Sequence, residues 1–180
     1  MFRYLISSAM LCLLVSASGF VPRAAPGVDE SFGLYAYGES LGGLSLFYAD
    51  GIVFLVLEFD TSLVKRSSSA SSSQWIANPN TNTTISTTDR WSDEMLYIPS
   101  SSSSYHQMGF TSKVKSNEST TGFIFYGQWV MVETESGDLS SSFYVKASSD
   151  GEGVYSLLWN VTGDDTAIPI SLRSVKPSNS

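Results

Sequence analysis

Pairs of carboxylates are the first feature of this sequence that could do chemistry. Glu58 and Asp60 are two residues apart, as are Glu133 and Glu135, so each pair would share one face of an extended strand. Glycoside hydrolysis uses two carboxyl groups that lie about 5–10 Å apart. Either pair therefore makes a glycoside hydrolase an alternative function. Because acidic residues at strand ends are more often solvated turn residues, we favour a protein without catalytic residues.

Histidine and cysteine, the other common catalytic and metal-binding residues, each occur once. His106 would have to serve any serine–histidine–acid triad, yet the chain has no Gly-x-Ser-x-Gly turn to supply the nucleophile. Cys12 lies in the apolar N-terminal segment, which argues against cysteine-based zinc, redox or nucleophile chemistry. Calcium could use oxygen ligands from turns, but the spacing of the available acids matches no EF-hand loop. Those acids are Asp150, Glu152, Asp164 and Asp165. We therefore predict no metal and no cofactor.

Aromatic residues are the enriched class, at 13% of the chain with four tryptophans. Trp75 and Trp91 flank a polar middle region, which favours exposure, so they are the candidates for stacking against sugar rings. Trp129 and Trp159 lie in apolar segments and are expected in the core. The competing interpretation is that all four tryptophans pack inside the protein.

Three sequons for N-linked glycosylation occur, at Asn82, Asn117 and Asn160. Each lies in or beside a predicted loop, where an acceptor asparagine should lie. We therefore expect a glycoprotein.

The first residues match a secretory signal. Arg3 precedes an apolar run over 4–15, and small residues follow at 16–19. We expect a signal peptide at 1–18, a flexible leader at 19–30 and secretion to the extracellular space. The apolar run is shorter than the ~20 residues of a membrane-spanning helix. The C-terminal sequence is polar, so we expect no lipid anchor.

The acidic charge balance limits which classes of macromolecule are expected to bind this protein. The net charge is −7, whereas nucleic acids and anionic membranes attract basic surfaces, so we expect neither as a partner. A polysaccharide or cell-wall glycan remains compatible with this charge. The composition does not indicate an oligomeric state.

Short apolar runs separated by Gly, Asp-Gly, Ser and Asn are typical of strands and turns. Asp50-Gly51 predicts a hairpin, and the run at 52–57 is apolar on both faces, as in a strand buried on both sides. We predict one β domain over 31–176, with Ser-rich loops near 66–74 and 100–104. The expected fold is all-β, an antiparallel two-sheet β-sandwich or jelly roll, with a closed β-barrel as the alternative.

Five segments resemble a group of small, secreted, cysteine-free proteins predicted from filamentous fungi. They are FGLYAYG (32–38), LFYADG (46–51), GFIFYG (122–127), YSLLWN (155–160) and IPISLRS (168–174). The resemblance spans most of the chain after the predicted signal. It implies an extracellular setting, and it implies no activity because that group has none established.

The sequence favours a secreted, non-catalytic extracellular protein that is associated with a cell wall or binds glycans. Two alternatives stay open: a glycoside hydrolase that uses one of the carboxylate pairs, and a secreted effector that binds a protein partner.

Overall fold

The computed structural model describes residues 25–49, 52–56, 64–66, 74–77 and 94–178. Within these ranges the chain forms strands and turns and contains no helix. In chain order the strands are β1 (Ser31–Phe32), β2 (Tyr35–Gly38), β3 (Leu41–Ala49), β4 (Ile52–Val56), β5 (Val64–Arg66), β6 (Trp75–Ala77), β7 (Met95–Pro99), β8 (Gly109–Thr111), β9 (Glu118–Ser119), β10 (Phe123–Tyr126), β11 (Trp129–Glu133), β12 (Leu139–Ser140), β13 (Phe143–Ala147), β14 (Tyr155–Trp159) and β15 (Ile168–Arg173).

Six of these strands form a closed antiparallel barrel. Their order is β2–β3–β4–β14–β13–β15, and β15 pairs with β2 to close the ring. In the closing pair, Leu172 lies opposite Ala36 and Arg173 opposite Tyr35. Closure gives every barrel strand a neighbour on both sides. The predicted all-β antiparallel fold is confirmed, and the closed barrel, our alternative to the sandwich, describes these six strands.

The predicted hairpin between β3 and β4 is also confirmed. Ala49 lies opposite Ile52, the pairing expected of a two-residue connection. Three successive residues of β4, 53–55, are buried. Burial of both faces is what the uninterrupted apolar run predicts.

The remaining strands extend the barrel at two places. β8 pairs with β4 and continues through β7, β6 and β5 to β1, while β9 pairs with β7 in a second sheet. The hairpin β10–β11 joins the barrel at one residue pair, Trp129 opposite Arg173. β12 pairs with the other end of β11. The hairpin therefore lies at the side of the barrel.

A cluster of aromatic rings holds this hairpin against the body of the protein. Trp75 is fully buried, and its ring stacks on Phe123 and Phe125 with centroids 5.2 and 4.7 Å away. Phe32 meets Trp75 edge-on at 5.2 Å. Such pairs stabilise a fold by about 0.5–1.5 kcal/mol each beyond the burial of their area. These rings and the apolar side chains of the barrel pack together in one core.

The predicted segments outside the barrel are described in part. The predicted signal at 1–18 lies outside the described residues. Of the leader at 19–30, residues 25–30 are described, and Glu30 closes a turn by accepting a hydrogen bond from the Gly27 amide at 2.7 Å. Of the two Ser-rich loops, the one at 100–104 is described and contains a turn.

Candidate functional site

An exposed apolar surface covers the outer side of the hairpin β10–β11. Tyr126 and Trp129 lie directly opposite each other and are 71% and 41% exposed. Ile124 and Met131 form the next outward pair and are half-buried. Leu139, on β12, is 47% exposed. We call Ile124, Tyr126, Trp129 and Met131 the aromatic face, because its two exposed members are aromatic.

A two-residue connection fixes the exposed aromatic pair. Tyr126 and Trp129 flank Gly127 and Gln128, and Gly127 has φ +62°. Glycine with positive φ at the first position is typical of the type II′ turn, which joins antiparallel strands in tight register. In directly opposite residues the Cβ atoms lie about 4.5–5.5 Å apart, so the two rings project side by side.

An arginine stacks on this face from the barrel. Arg173 lies opposite Trp129 across β15 and β11, and its guanidinium carbon is 3.8 Å from the centroid of that ring. The same carbon is 4.9 Å from the Tyr37 ring centroid. The Arg173 Nε is buried without a hydrogen-bond partner. The cation is therefore held by two aromatic rings.

Tyr37 is the second of the two rings that contact Arg173. Its hydroxyl donates a hydrogen bond of 2.7 Å to the Val175 carbonyl oxygen. Burial raises the pKa of Tyr37, while the charge of Arg173 acts in the opposite direction. The phenol is therefore neutral at physiological pH and serves as an oriented ring rather than as a charge.

A groove lies between the second sheet and the turn after β11. Its volume is about 570 Å³. Its polar lining includes hydroxyl groups and two carboxylates, and Trp159 contributes to its apolar part. Its lining includes Ser100, Ser119, Glu133, Glu135, Trp159 and Asn160.

The structure brings Glu133 and Glu135 to this groove. Both are exposed, Glu133 at the end of β11 and Glu135 in the following turn. Both carboxylates line the groove, but β11 ends at Glu133, so the two do not share one face of a strand as predicted. The other predicted pair, Glu58 and Asp60, lies outside the described residues.

Trp75 and Trp129 have environments opposite to those expected from the sequence. Trp75, a candidate for sugar stacking, is fully buried among phenylalanine rings and offers no face to a ligand. Trp129, expected in the core, is exposed. Trp159 is buried, as expected. Trp91 lies outside the described residues.

A signal for the exposure of Trp129 was present in the sequence. Side chains alternate along a strand, so Trp129 shares its face with Met131 and Glu133, whereas Val130 and Val132 share the other. An unpaired carboxylate is costly to bury, which places the face of Glu133 in solvent. The observed pattern of β11 is exposed, buried, half-buried, buried, exposed.

The histidine and the acidic turns do not assemble into a metal site. His106 Nδ1 lies 3.1 Å from the Trp159 carbonyl oxygen, and the His106 carbonyl accepts the Trp159 amide at 2.8 Å. Asp164 is occupied by Lys146 Nζ at 2.8 Å and by the Thr166 hydroxyl at 2.6 Å. Among the described residues, no three His, Cys, Asp or Glu side chains are grouped to hold a metal ion.

A buried carboxylate that the sequence did not reveal lies at β9. The Glu118 side chain is 1% exposed, and its Oε1 accepts hydrogen bonds from Lys115 Nζ at 3.1 Å and the Tyr105 hydroxyl at 3.3 Å. Its Oε2 accepts the Lys115 amide at 3.1 Å. The pKa of the Tyr97 phenol is raised to about 12, mainly by burial and further by the charges of Tyr105 and Glu118. Because both Glu118 oxygens are satisfied, we assign this carboxylate to the support of the loop.

Two of the three sequons are described. Asn160 is exposed, has φ +51° and lies at the groove. Asn117 is half-buried, and its carbonyl accepts the Ser100 amide at 2.9 Å. Asn82 lies outside the described residues. Of the two, Asn160 has the side chain more open to an attached glycan.

Comparison with known proteins finds no matching family model, no matching curated protein and no matching solved structure. The described part of the chain has no helix with the length and apolar character of a membrane span. Function is therefore inferred from the side chains of this chain.

Proposed function

We propose that this is a secreted, non-catalytic protein that binds cell-wall glycans through the aromatic face. The observation that carries the proposal is the exposed pair of Tyr126 and Trp129, fixed by a two-residue hairpin and a stacked arginine. The predicted signal peptide and the glycosylation sequons support an extracellular setting. The proposed localisation follows from those sequence features.

Aromatic rings suit this role because a sugar ring has an apolar face of C–H groups. An aromatic side chain covers roughly 150–250 Å² in all, so the exposed fractions of Tyr126 and Trp129 together present about 200 Å². Half of that area, covered by one sugar, stabilises the complex by about 2.5 kcal/mol at about 25 cal/mol per Å². A single sugar would then bind at millimolar concentrations or weaker, because 1 mM corresponds to about −4.1 kcal/mol.

Weak single-site binding favours a polymer as the natural ligand. A polymer presents many equivalent sugars to one surface, so that a molecule which dissociates finds a neighbouring site at high local concentration. A dense insoluble polysaccharide is therefore a better probe than a free monosaccharide.

The test is retention of the purified protein on insoluble polysaccharides that span neutral glucans, chitin and pectic polymers. We expect the wild-type protein to be retained on at least one polymer, and Trp129→Ala to bind at least about tenfold more weakly. Val114→Ala is the matched control, because Val114 is 43% exposed and lies outside the aromatic face. Retention on none of the polymers would exclude the proposal, as would unchanged binding by Trp129→Ala.

A glycoside hydrolase is the second candidate function. It is favoured by the placement of Glu133 and Glu135 in one groove of about 570 Å³. Release of reducing ends from the same polysaccharides would test it, with loss of release in Glu133→Gln or Glu135→Gln. Glu152→Gln is the control, since Glu152 is exposed in a turn that does not line the groove. A purified protein that releases no reducing ends would exclude hydrolysis.

A further inference from the structure

We propose that the aromatic face prefers glycans that carry carboxylates, such as polymers of uronic acids, and that Arg173 contacts the carboxylate. This inference rests on the proposed function, because it concerns the same surface. It adds the chemical class of the sugar and the residue that selects it.

The first observation is that the Arg173 charge has no acidic counterpart among the residues that the structure describes. In the two ion pairs found among the described residues, the cations are Lys115 and Lys146. Within the same residues, no hydrogen bond from the Arg173 guanidinium is formed, and the guanidinium lies against the rings of Trp129 and Tyr37. No described carboxylate therefore competes with an outside anion for this cation.

The second observation concerns which nitrogens can reach that anion. The Arg173 Nε is buried and unpaired, whereas neither Nη is among the buried polar atoms without a partner. A guanidinium that stacks by its flat side keeps its N–H groups in the plane, directed past the edge of the ring. The two Nη groups can then donate to both oxygens of one carboxylate, the paired geometry that arginine favours.

The third observation is the position of the cation beside the exposed rings. Arg173 lies opposite Trp129, which in turn lies opposite Tyr126. A sugar whose ring covers the aromatic pair would have its substituents next to the guanidinium. A carboxylate gains from this charge, whereas a hydroxymethyl group or a methyl ester does not.

The net charge of −7 opposes a polyanion at long range. At physiological ionic strength the screening length is about 8 Å, so charges farther away than this contribute little. Glu133, on the same strand face as Trp129, is four residues away, or about 13 Å along the strand. Repulsion from Glu133 is therefore largely screened at the position of Trp129.

The test compares two forms of one polymer. Polygalacturonate and its highly methyl-esterified form share the same backbone and ring faces, and they differ in the charge that Arg173 would recognise. We expect the wild-type protein to bind the free acid about tenfold more tightly than the ester, and Arg173→Gln to bind the two forms equally. Arg173→Lys, which keeps the charge but loses the paired donors, should retain part of the preference.

The ratio between the two polymers separates recognition from folding. Arg173→Gln will weaken the support of Trp129, which lowers binding to both forms alike and leaves the ratio as the readout. Lys113→Gln is the control for the loss of one positive charge, since Lys113 is exposed in a loop that is not part of the aromatic face. Its ratio should equal that of the wild type.

The outcomes distinguish this inference from the proposed function. Equal binding of acid and ester by the wild type, or a preference that survives in Arg173→Gln, would overturn the uronate preference and leave glycan binding intact. Failure to bind these polymers and every neutral polysaccharide would overturn both.

Discussion

Replacing Trp75 by alanine should lower the free energy of unfolding by about 4 kcal/mol. The Trp75 side chain is fully buried and touches three phenylalanine rings, Phe32, Phe123 and Phe125, at centroid distances of 5.2, 5.2 and 4.7 Å. A tryptophan buries about 150–250 Å², which at about 25 cal/mol per Å² gives about 4–6 kcal/mol as an upper value. Measured losses for such truncations are about 3–5 kcal/mol.

Urea denaturation followed by far-ultraviolet circular dichroism measures this loss, with the two-state fit checked by a second probe. In a chain of this size the same loss lowers the melting temperature by about 8–16 °C. Tyr126→Ala is the matched control: its side chain is 71% exposed, so removal should cost about 1.5 kcal/mol or less.

A milder variant keeps the test available if alanine prevents folding. Trp75→Phe retains most of the ring contacts and removes the buried Nε1–H, which has no hydrogen-bond partner. The lost area and the removed unpaired donor oppose each other, so the expected cost is about 1–2 kcal/mol. A change below about 1 kcal/mol in Trp75→Ala would refute the assignment of this ring to the core.

Two further predictions concern charge and backbone. The pKa of Asp164 is lowered to about 2, first by the hydrogen bond from Lys146 and then by those from Thr166, so its carbon-detected NMR titration should have a midpoint near pH 2. A lowered pKa stabilises the folded state above the ordinary value of 3.8, and this contribution is lost as the pH falls from about 4 to about 2. Lys146→Gln should raise the midpoint, and an unchanged midpoint would contradict the assigned cause. Gly122→Ala should destabilise the protein more than Gly127→Ala in thermal melts, because both have positive φ but only at Gly122 would a Cβ lie 2.7 Å from a backbone oxygen. Equal melting temperatures for the two variants would contradict that contact.

Local sequence signals were enough to predict the longer strands, but they predicted neither several strands of two or three residues nor the closure of the barrel. The Asp50-Gly51 connection and the apolar run after it predict one hairpin and one doubly buried strand, and the pairing of β3 with β4 agrees. The closing pair joins Leu172 to Ala36, which are far apart in sequence, and no turn between them sets the register. That pairing depends on contacts across the whole barrel, so no short segment of the sequence indicates it.

The candidate site shows the same division between local and non-local information. Side chains alternate between the two faces of β11, and Trp129 shares its face with Glu133. This is enough to predict that Trp129 is exposed, although the residues next to it are apolar. The burial of Trp75 depends on Phe32, Phe123 and Phe125, which lie on other strands. The expectation for Trp75 relied on the polar sequence beside it, and the polarity of adjacent sequence carries no information about rings on distant strands.

The claim that binding occurs on the aromatic face is tested most directly by NMR. The ¹⁵N-labelled protein would be titrated with soluble oligosaccharides derived from the polymer that retains it. We expect shifts of the Trp129 indole N–H and of the amides of β10, β11 and Arg173, with the Trp75 and Trp159 indoles unmoved. Shifts centred instead on the groove at Glu133, Glu135 and Asn160, with an unmoved Trp129 indole, would contradict the claim.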